Sequence, residues 1–214
     1  MAAVIISANA FSQSNEQGTI QIGLGWLATL GGGTLKSDPG SSIDVTGVRA
    51  MYGLRAQYGL AENMSAGIFV RAEAATYVVS DLSNLSALTG TNLDITYSGT
   101  SFGLEGKYYV ANSDNFNFYP AVSVGYTTAT NKFAGFTLSP EYDISGINYS
   151  VGVGLNWYFV AEVFGISFDL DYAGSSLSGT QPADASAGTP ETKNTLTNGS
   201  INWGFGLTAH FGGN

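Results

Sequence analysis

Eight charged side chains stand inside otherwise apolar stretches of this chain: Arg49, Arg55, Arg71 and Lys107, with Glu73, Glu105, Asp169 and Asp171. Closely set carboxylates can do general acid–base work, and a facing pair can cleave a glycosidic bond. Interleaved with guanidinium and ammonium groups, the same carboxylates form salt bridges instead. Four positive and four negative charges cancel, which a low-dielectric interior demands, because an unpaired buried ion is costly. Asp169-Leu170-Asp171 opens like an acidic Ca²⁺ loop, but Ala173 stands where that loop needs Asp or Asn. His210 is the single histidine. It has no obvious serine or carboxylate companion on its own strand, as an acid–base site requires. Gly152-x-Gly154 and Gly204-x-Gly206 look like pieces of phosphate loops, but no helix follows them. The reading assigns no catalytic, cofactor-binding or metal-ligating residue and expects no cofactor. It assigns the eight charges to one buried network, with Arg49 set against Glu73 and Arg55 against the Glu105, Asp169 and Asp171 group.

The charges sit at alternate positions, so strands must position them. Period-two alternation marks eight strands at 19–30, 46–60, 64–78, 98–110, 118–128, 147–159, 164–173 and 200–211. The sixth is the plainest. Ile147, Tyr149, Val151, Val153, Leu155, Trp157 and Phe159 alternate with Asn148, Ser150, Gly152, Gly154 and Asn156. Short turns fall around Ala61-Glu62-Asn63, Ala111 to Phe116 and Val160 to Val163. Long polar segments, read as loops, fall at Gly31 to Asp44, Ser80 to Asp94, Ala129 to Asp143 and Gly174 to Thr197.

Composition decides which face is inside. Only 11% of residues are charged, while 13% are aromatic and 29 are glycine. Soluble domains carry about a quarter charged residues. A soluble eight-stranded barrel would turn its rings inward and overfill an interior that side chains already fill. The inverse arrangement fits: rings and aliphatics outside against lipid, glycines and small polar residues inside. Strands of ten or more residues match a tilted membrane span, and a bilayer requires the sheet to close. Two aromatic girdles are expected. Tyr58, Tyr108, Phe118, Phe159 and Phe211 would form one beside the short turns, and Tyr126, Tyr149 and Tyr172 the other toward the long loops. The net charge of −9 argues against a nucleic-acid partner, and the absence of cysteine excludes disulfides. Ala2 to Ile6 leads into Ala8-Asn9-Ala10, so residues 1–10 read as the remnant of a signal peptide. Residues 11–18 then form an N-terminal periplasmic segment and 19–214 the transmembrane barrel.

After residue 18 the chain resembles the small eight-stranded outer-membrane β-barrels of the OmpA transmembrane-domain and OmpX type. The resemblance rests on strand rhythm, on "YGLAENMSAGIFVRAE" and "SFGLEGKYYV", and on the last strand "INWGFGLTAHF". It implies an all-β, antiparallel, up-and-down barrel in the outer membrane of a Gram-negative bacterium. Short turns would face the periplasm and long loops the exterior. The implied partners are outer-membrane lipids, lipopolysaccharide, the barrel-assembly machinery and, for some members, envelope proteins. That family ends on an aromatic residue; here Phe211 is followed by Gly212, Gly213 and Asn214. The expected role is non-enzymatic, in envelope integrity or surface and partner contact, with the lumen plugged by its charges. A narrow channel for ions or small solutes, or an accessory subunit of a larger complex, are the alternatives.

Overall fold

The computed structural model describes residues 16–38, 40, 42–79, 94–113, 115–134, 141–160, 163–183 and 190–212. The expected signal remnant, the segment from Phe11 to Asn15 and most of the Ser80-to-Asp94 loop lie outside them. Nine strands occur among the described residues: β1 (Ile20–Asp38), β2 (Ser42–Ala61), β3 (Met64–Val79), β4 (Asp94–Tyr108), β5 (Ala111–Ser113), β6 (Phe116–Ala134), β7 (Tyr142–Val160), β8 (Phe164–Gln181) and β9 (Thr192–Phe211). Neighbouring strands pair antiparallel, and β1 pairs with β9 while β4 pairs with β6. Eight long strands therefore close a ring. The three-residue β5 only extends a hairpin onto the start of β6. Closure leaves no long strand with an unpaired edge, which is the condition for crossing hydrocarbon.

Register tilts the ring. A rung followed from Lys132 on β6 through Thr96, Thr76, Val48, Leu30, Ile201, Tyr172 and Val151 returns to β6 at Val122. That is ten residues (132 − 122) nearer the short turns. Such a stagger forces the strands to lean against the barrel axis.

The strands are longer than alternation alone indicates. β1 runs on to Asp38 and β2 starts at Ser42, so the expected loop from Gly31 to Asp44 is mostly hairpin. Likewise β6 reaches Ala134, β7 starts at Tyr142, β8 reaches Gln181 and β9 starts at Thr192. The long strands hold 15 to 20 residues. About 9–11 residues cross a bilayer, so roughly half of each strand stands beyond it.

Outside the lipid, the same alternation carries the opposite chemistry. In the short-turn half, Leu30 and Leu104 face outward, 64% and 62% exposed. In the far half, Ile95 and Leu177 face inward, 0% and 1% exposed, beside Leu35, Val45, Ile144 and Leu196. The outer surface there is hydroxylated and charged: Thr34, Asp44, Thr46, Thr130, Lys132, Ser176 and Thr180. The barrel is inside-out where it meets lipid and conventionally packed where it meets water. This is why the segments read as polar loops: an apolar residue at every second position still alternates with Ser, Thr and Asn.

Replacing Ile95 by Asn should destabilise the refolded barrel by about 2–5 kcal/mol, as core truncations and unpaired buried polar groups do. Valine in place of the adjacent outward Thr96 should shift stability by no more than about 0.5 kcal/mol. Urea unfolding followed by the gel mobility of unheated samples measures both.

Candidate functional site: the polar lumen

Inward positions in the lipid-facing half carry the charges. β2 contributes Arg49 and Arg55, β3 Arg71 and Glu73, β4 Glu105 and Lys107, β8 Asp169 and Asp171. Glycines on neighbouring strands make room for them. Gly23 pairs with Arg55, and a Cβ at Gly23 would lie 2.8 Å from the Arg55 Nε. Gly154 pairs with Asp169, and a Cβ there would strike both the Tyr119 ring and the Asp169 carboxylate at 2.6 Å. Arg55, Asp169 and Tyr119 are thus each matched by an absent side chain opposite.

The charges meet in two layers. Nearer the short turns, Arg55 Nη1 lies 3.0 Å from Asp169 Oδ2, and Tyr119 donates its hydroxyl to Asp169 Oδ1 at 3.1 Å. Glu105 takes Arg71 at 3.3 Å on one oxygen and Lys107 at 3.5 Å on the other, where Gln57 also donates at 2.8 Å. The Arg71 guanidinium stacks 4.2 Å above the buried Phe69 ring, and the Lys107 ammonium lies 4.4 Å from the Tyr119 ring centroid. In the second layer, Arg49 lies 3.4 Å from Glu73, whose other oxygen accepts from Ser101 at 2.8 Å. Asp171 is held by the Asn202 amide, and Asn202 also accepts from Thr29 at 2.6 Å. Each carboxylate of the set has at least one donor, so the layer of ions is a hydrogen-bonded framework rather than a set of isolated pairs.

Two small cavities remain inside it, of about 40 Å³ and about 20 Å³. The larger is lined by Arg55, Arg71, Glu105, Asp169 and Asp171. That space suits a few waters and nothing larger.

Aromatic groups that the charge pattern does not announce close the short-turn end. Tyr109, Tyr119 and Tyr158 point inward and are buried, as are Asn117, Asn156 and Gln21. Gln21 donates to the Tyr158 hydroxyl, and Lys107 donates to Gln21 at 3.4 Å. Their signal is parity: each tyrosine falls between two outward residues, as Tyr158 does between Trp157 and Phe159. His210 is fully buried beside them, its ring edge-on to Tyr158 with centroids 4.5 Å apart. Neither of its ring nitrogens has a hydrogen-bond partner among the described residues. At the other end, Tyr77 and Tyr97 stack at 6.1 Å above Arg49, and Asn198 donates to Tyr77 at 3.1 Å. Above these lies a mainly apolar layer, where Leu35, Ile95, Ile144, Leu177 and Leu196 pack with Asn131, Tyr142 and Asn194 around a space too small to admit a water.

The girdle residues all point outward. Tyr58, Tyr108, Phe118, Phe159 and Phe211 lie on the wall near the short turns. Tyr126, Tyr149 and Tyr172 lie at the far edge of the apolar band, where Thr128, Ser145 and Ser176 begin the hydroxylated surface. The Tyr126 hydroxyl donates to Ser145 across that edge at 2.9 Å.

No protein-family model matches this chain, and no curated protein does. Solved structures do. The outer membrane protein OprG from Pseudomonas aeruginosa is similar with a TM-score of 0.57 at 17% identity, over 93% of this chain and 99% of that one. The outer membrane protein AlkL, determined in lipid bilayers, is similar with a TM-score of 0.52 at 17% identity, over 92% of each chain. The architecture is that of the small outer-membrane β-barrels.

Removing one member of a buried pair should cost more than removing both. Arg55→Met and Asp169→Leu should each lose about 3–5 kcal/mol, and the double variant should recover most of that loss. A double-mutant cycle from urea unfolding in lipid checks it. Gly154→Val should lose about 1–3 kcal/mol by driving the Tyr119 ring from its seat, read in the same assay.

Proposed function

We propose that this chain is an integral outer-membrane barrel that neither conducts nor catalyses, and that acts through its outer surfaces in envelope integrity or partner contact. The observation that supports this reading is that two layers of inward side chains fill the lumen in series. The mid-barrel ion pairs fill the polar half. The apolar layer of Ile95, Leu177 and Leu196 fills the far half without a cavity. An ion leaving the charged layer would have to exchange its water shell for the few polar groups of that layer, Asn131, Tyr142 and Asn194, at a cost of several kcal/mol. The buried tyrosines at the short-turn end add a third obstruction.

The surroundings of His210 support the non-catalytic reading. Among the described residues, a ring packed edge-on to Tyr158 has no carboxylate or hydroxyl hydrogen-bonded to either nitrogen, as an acid–base site would need. Membership of the membrane is supported by the outward band on β1 and β8, where Ile20, Ile22, Trp26, Leu30, Phe164, Phe168, Leu170 and Tyr172 are exposed. The mature chain would then begin near Phe11, with the short turns in the periplasm.

Planar-bilayer recording tests the seals. The purified barrel should show no steady conductance. Arg55→Ala with Glu105→Ala should remain silent, because the apolar layer still closes the lumen. Adding Ile95→Gly and Leu177→Gly to that variant should open a current. A large steady channel in the unsubstituted protein would overturn the reading.

A further inference from the structure

One inward rung of the lumen begins at the short-turn rim and ends among the ion pairs. It passes Asn117, Asn156 and Ser167 on β6 to β8, then Gly206, Gly25 and Gly53 on β9, β1 and β2, and reaches Arg71 on β3. Asn117 is the second residue of β6, beside the turn that holds Asn112. The strands lean, so the rung climbs away from the short turns as it circles the barrel. It is a ramp from the rim to the charges. Tyr158 stands below it and Tyr119 above it, both inward and buried, and they confine it to this one level.

The lower three residues are polar, fully buried and incompletely bonded. Asn117 donates to Asn112 at 2.6 Å, and Asn156 accepts from the Tyr119 hydroxyl at 3.3 Å. Their other polar atoms, Asn117 Oδ1 and Asn156 Nδ2, have no hydrogen-bond partner among the described residues. Neither has the Ser167 hydroxyl. Buried polar atoms seldom stay unpaired; where protein supplies no partner, water does. Three such atoms on three successive strands of one rung mark a row of water positions.

The glycines continue the row. The Ser167 hydroxyl lies over Gly206, 2.8 Å from where a Cβ would stand. The Arg71 stem covers Gly53, its Cγ 2.9 Å from the corresponding point. Gly25, between them, is left open: an added Cβ would meet nothing nearer than the Phe205 carbonyl oxygen at 3.8 Å. Gly25 and Gly53 line the cavity of about 40 Å³ that also touches Arg55, Arg71, Glu105 and Asp169. The unpaired atoms therefore lead into the space among the ion pairs. Beyond the ions the route stops, because the layer around Ile95 and Leu177 has no room for a water.

We infer that this rung is a one-sided water path, joining the ion layer to the short-turn side of the membrane and ending blind beneath the mainly apolar layer. It admits water and bare ions of similar size, and the tyrosines beside it stop larger solutes. The Arg55–Asp169 and Arg71–Glu105 pairs are then solvated from one side only. With the short turns in the periplasm, the network answers to periplasmic solutes and is shielded from external ones. The inference rests on the closed-lumen reading above and adds to it a direction of access.

The chain has no cysteine, so single cysteines report access without background. Barrels refolded into preformed phosphatidylcholine vesicles keep the far half outside, because its hydroxylated wall does not cross hydrocarbon. Silver ion added outside then reaches the far side alone, and freeze–thaw of the vesicles admits it to both. Ser167→Cys and Ser150→Cys, the latter in the cavity wall, should lose their free thiol only after freeze–thaw. Leu177→Cys in the apolar layer should react in neither state, and the outward Ser176→Cys in both. Gly25→Leu fills the open position, so it should slow the reaction of Ser150→Cys roughly tenfold or more and leave that of Ser167→Cys unchanged. The inference is overturned if Ser150→Cys reacts as fast in sealed vesicles, or if Gly25→Leu leaves its rate unaltered. Gel mobility of unheated samples confirms that each variant folds. A steady current in bilayer recording would overturn this inference together with the closed-lumen reading. Electrical silence with Ser150→Cys still protected after freeze–thaw would overturn this inference alone.

Discussion

A strand turns its side chains alternately to two sides, and the strands of this barrel pass through two solvents. Everything else in the structure answers to that constraint. In hydrocarbon, each backbone N–H and C=O must be paired within the sheet, so the sheet closes through β1–β9 and β4–β6. Once it is closed, each strand has an outside that must match its surroundings and an inside that must be filled. The outside changes from apolar to hydroxylated along the strand, and the inside changes from ionic to apolar at the same level. The two changes are one event seen from both faces of the wall.

The interior of the lipid-facing half shows how a narrow barrel accommodates ions. Long charged side chains lie across the lumen and over glycines on the paired strand, as Arg55 does over Gly23. Their ends meet carboxylates that are themselves held by amides and hydroxyls, such as Gln57 on Glu105 and Ser101 on Glu73. Glycine therefore has a packing role here: eight strands leave too little width for large residues to face one another on both sides of a rung. The far half solves the same filling problem with aliphatic residues, because water outside allows the ordinary arrangement of an apolar core.

The outer wall has its own division. Ring-rich strands and alanine-bearing strands share one barrel, and the tilt set by a ten-residue stagger carries a single rung from lipid to water. Sequence distance conceals this: Trp203, Ala28, Ala50, Ala74, Ser98 and Thr130 come from six different strands and are neighbours only through register.

The sequence by itself determined the strand period, the closed all-β class and the face on which each residue falls. It did so because alternation is a local property and one face was too aromatic for an eight-stranded interior. It marked the eight charges as inward, and parity also held the positions of Tyr119 and Tyr158, though their polar-face placement is easily overlooked beside so many outward rings. Strand length was not legible beyond the lipid. There the outward Thr and Ser of Thr34, Thr46 and Ser176 look like loop composition, and only pairing shows them to be wall. The partners within the charge network and the mainly apolar layer above it were decided by tertiary structure alone. Each depends on which residues of separate strands share a rung, and register is set by closure of the whole ring rather than by any one segment of the chain.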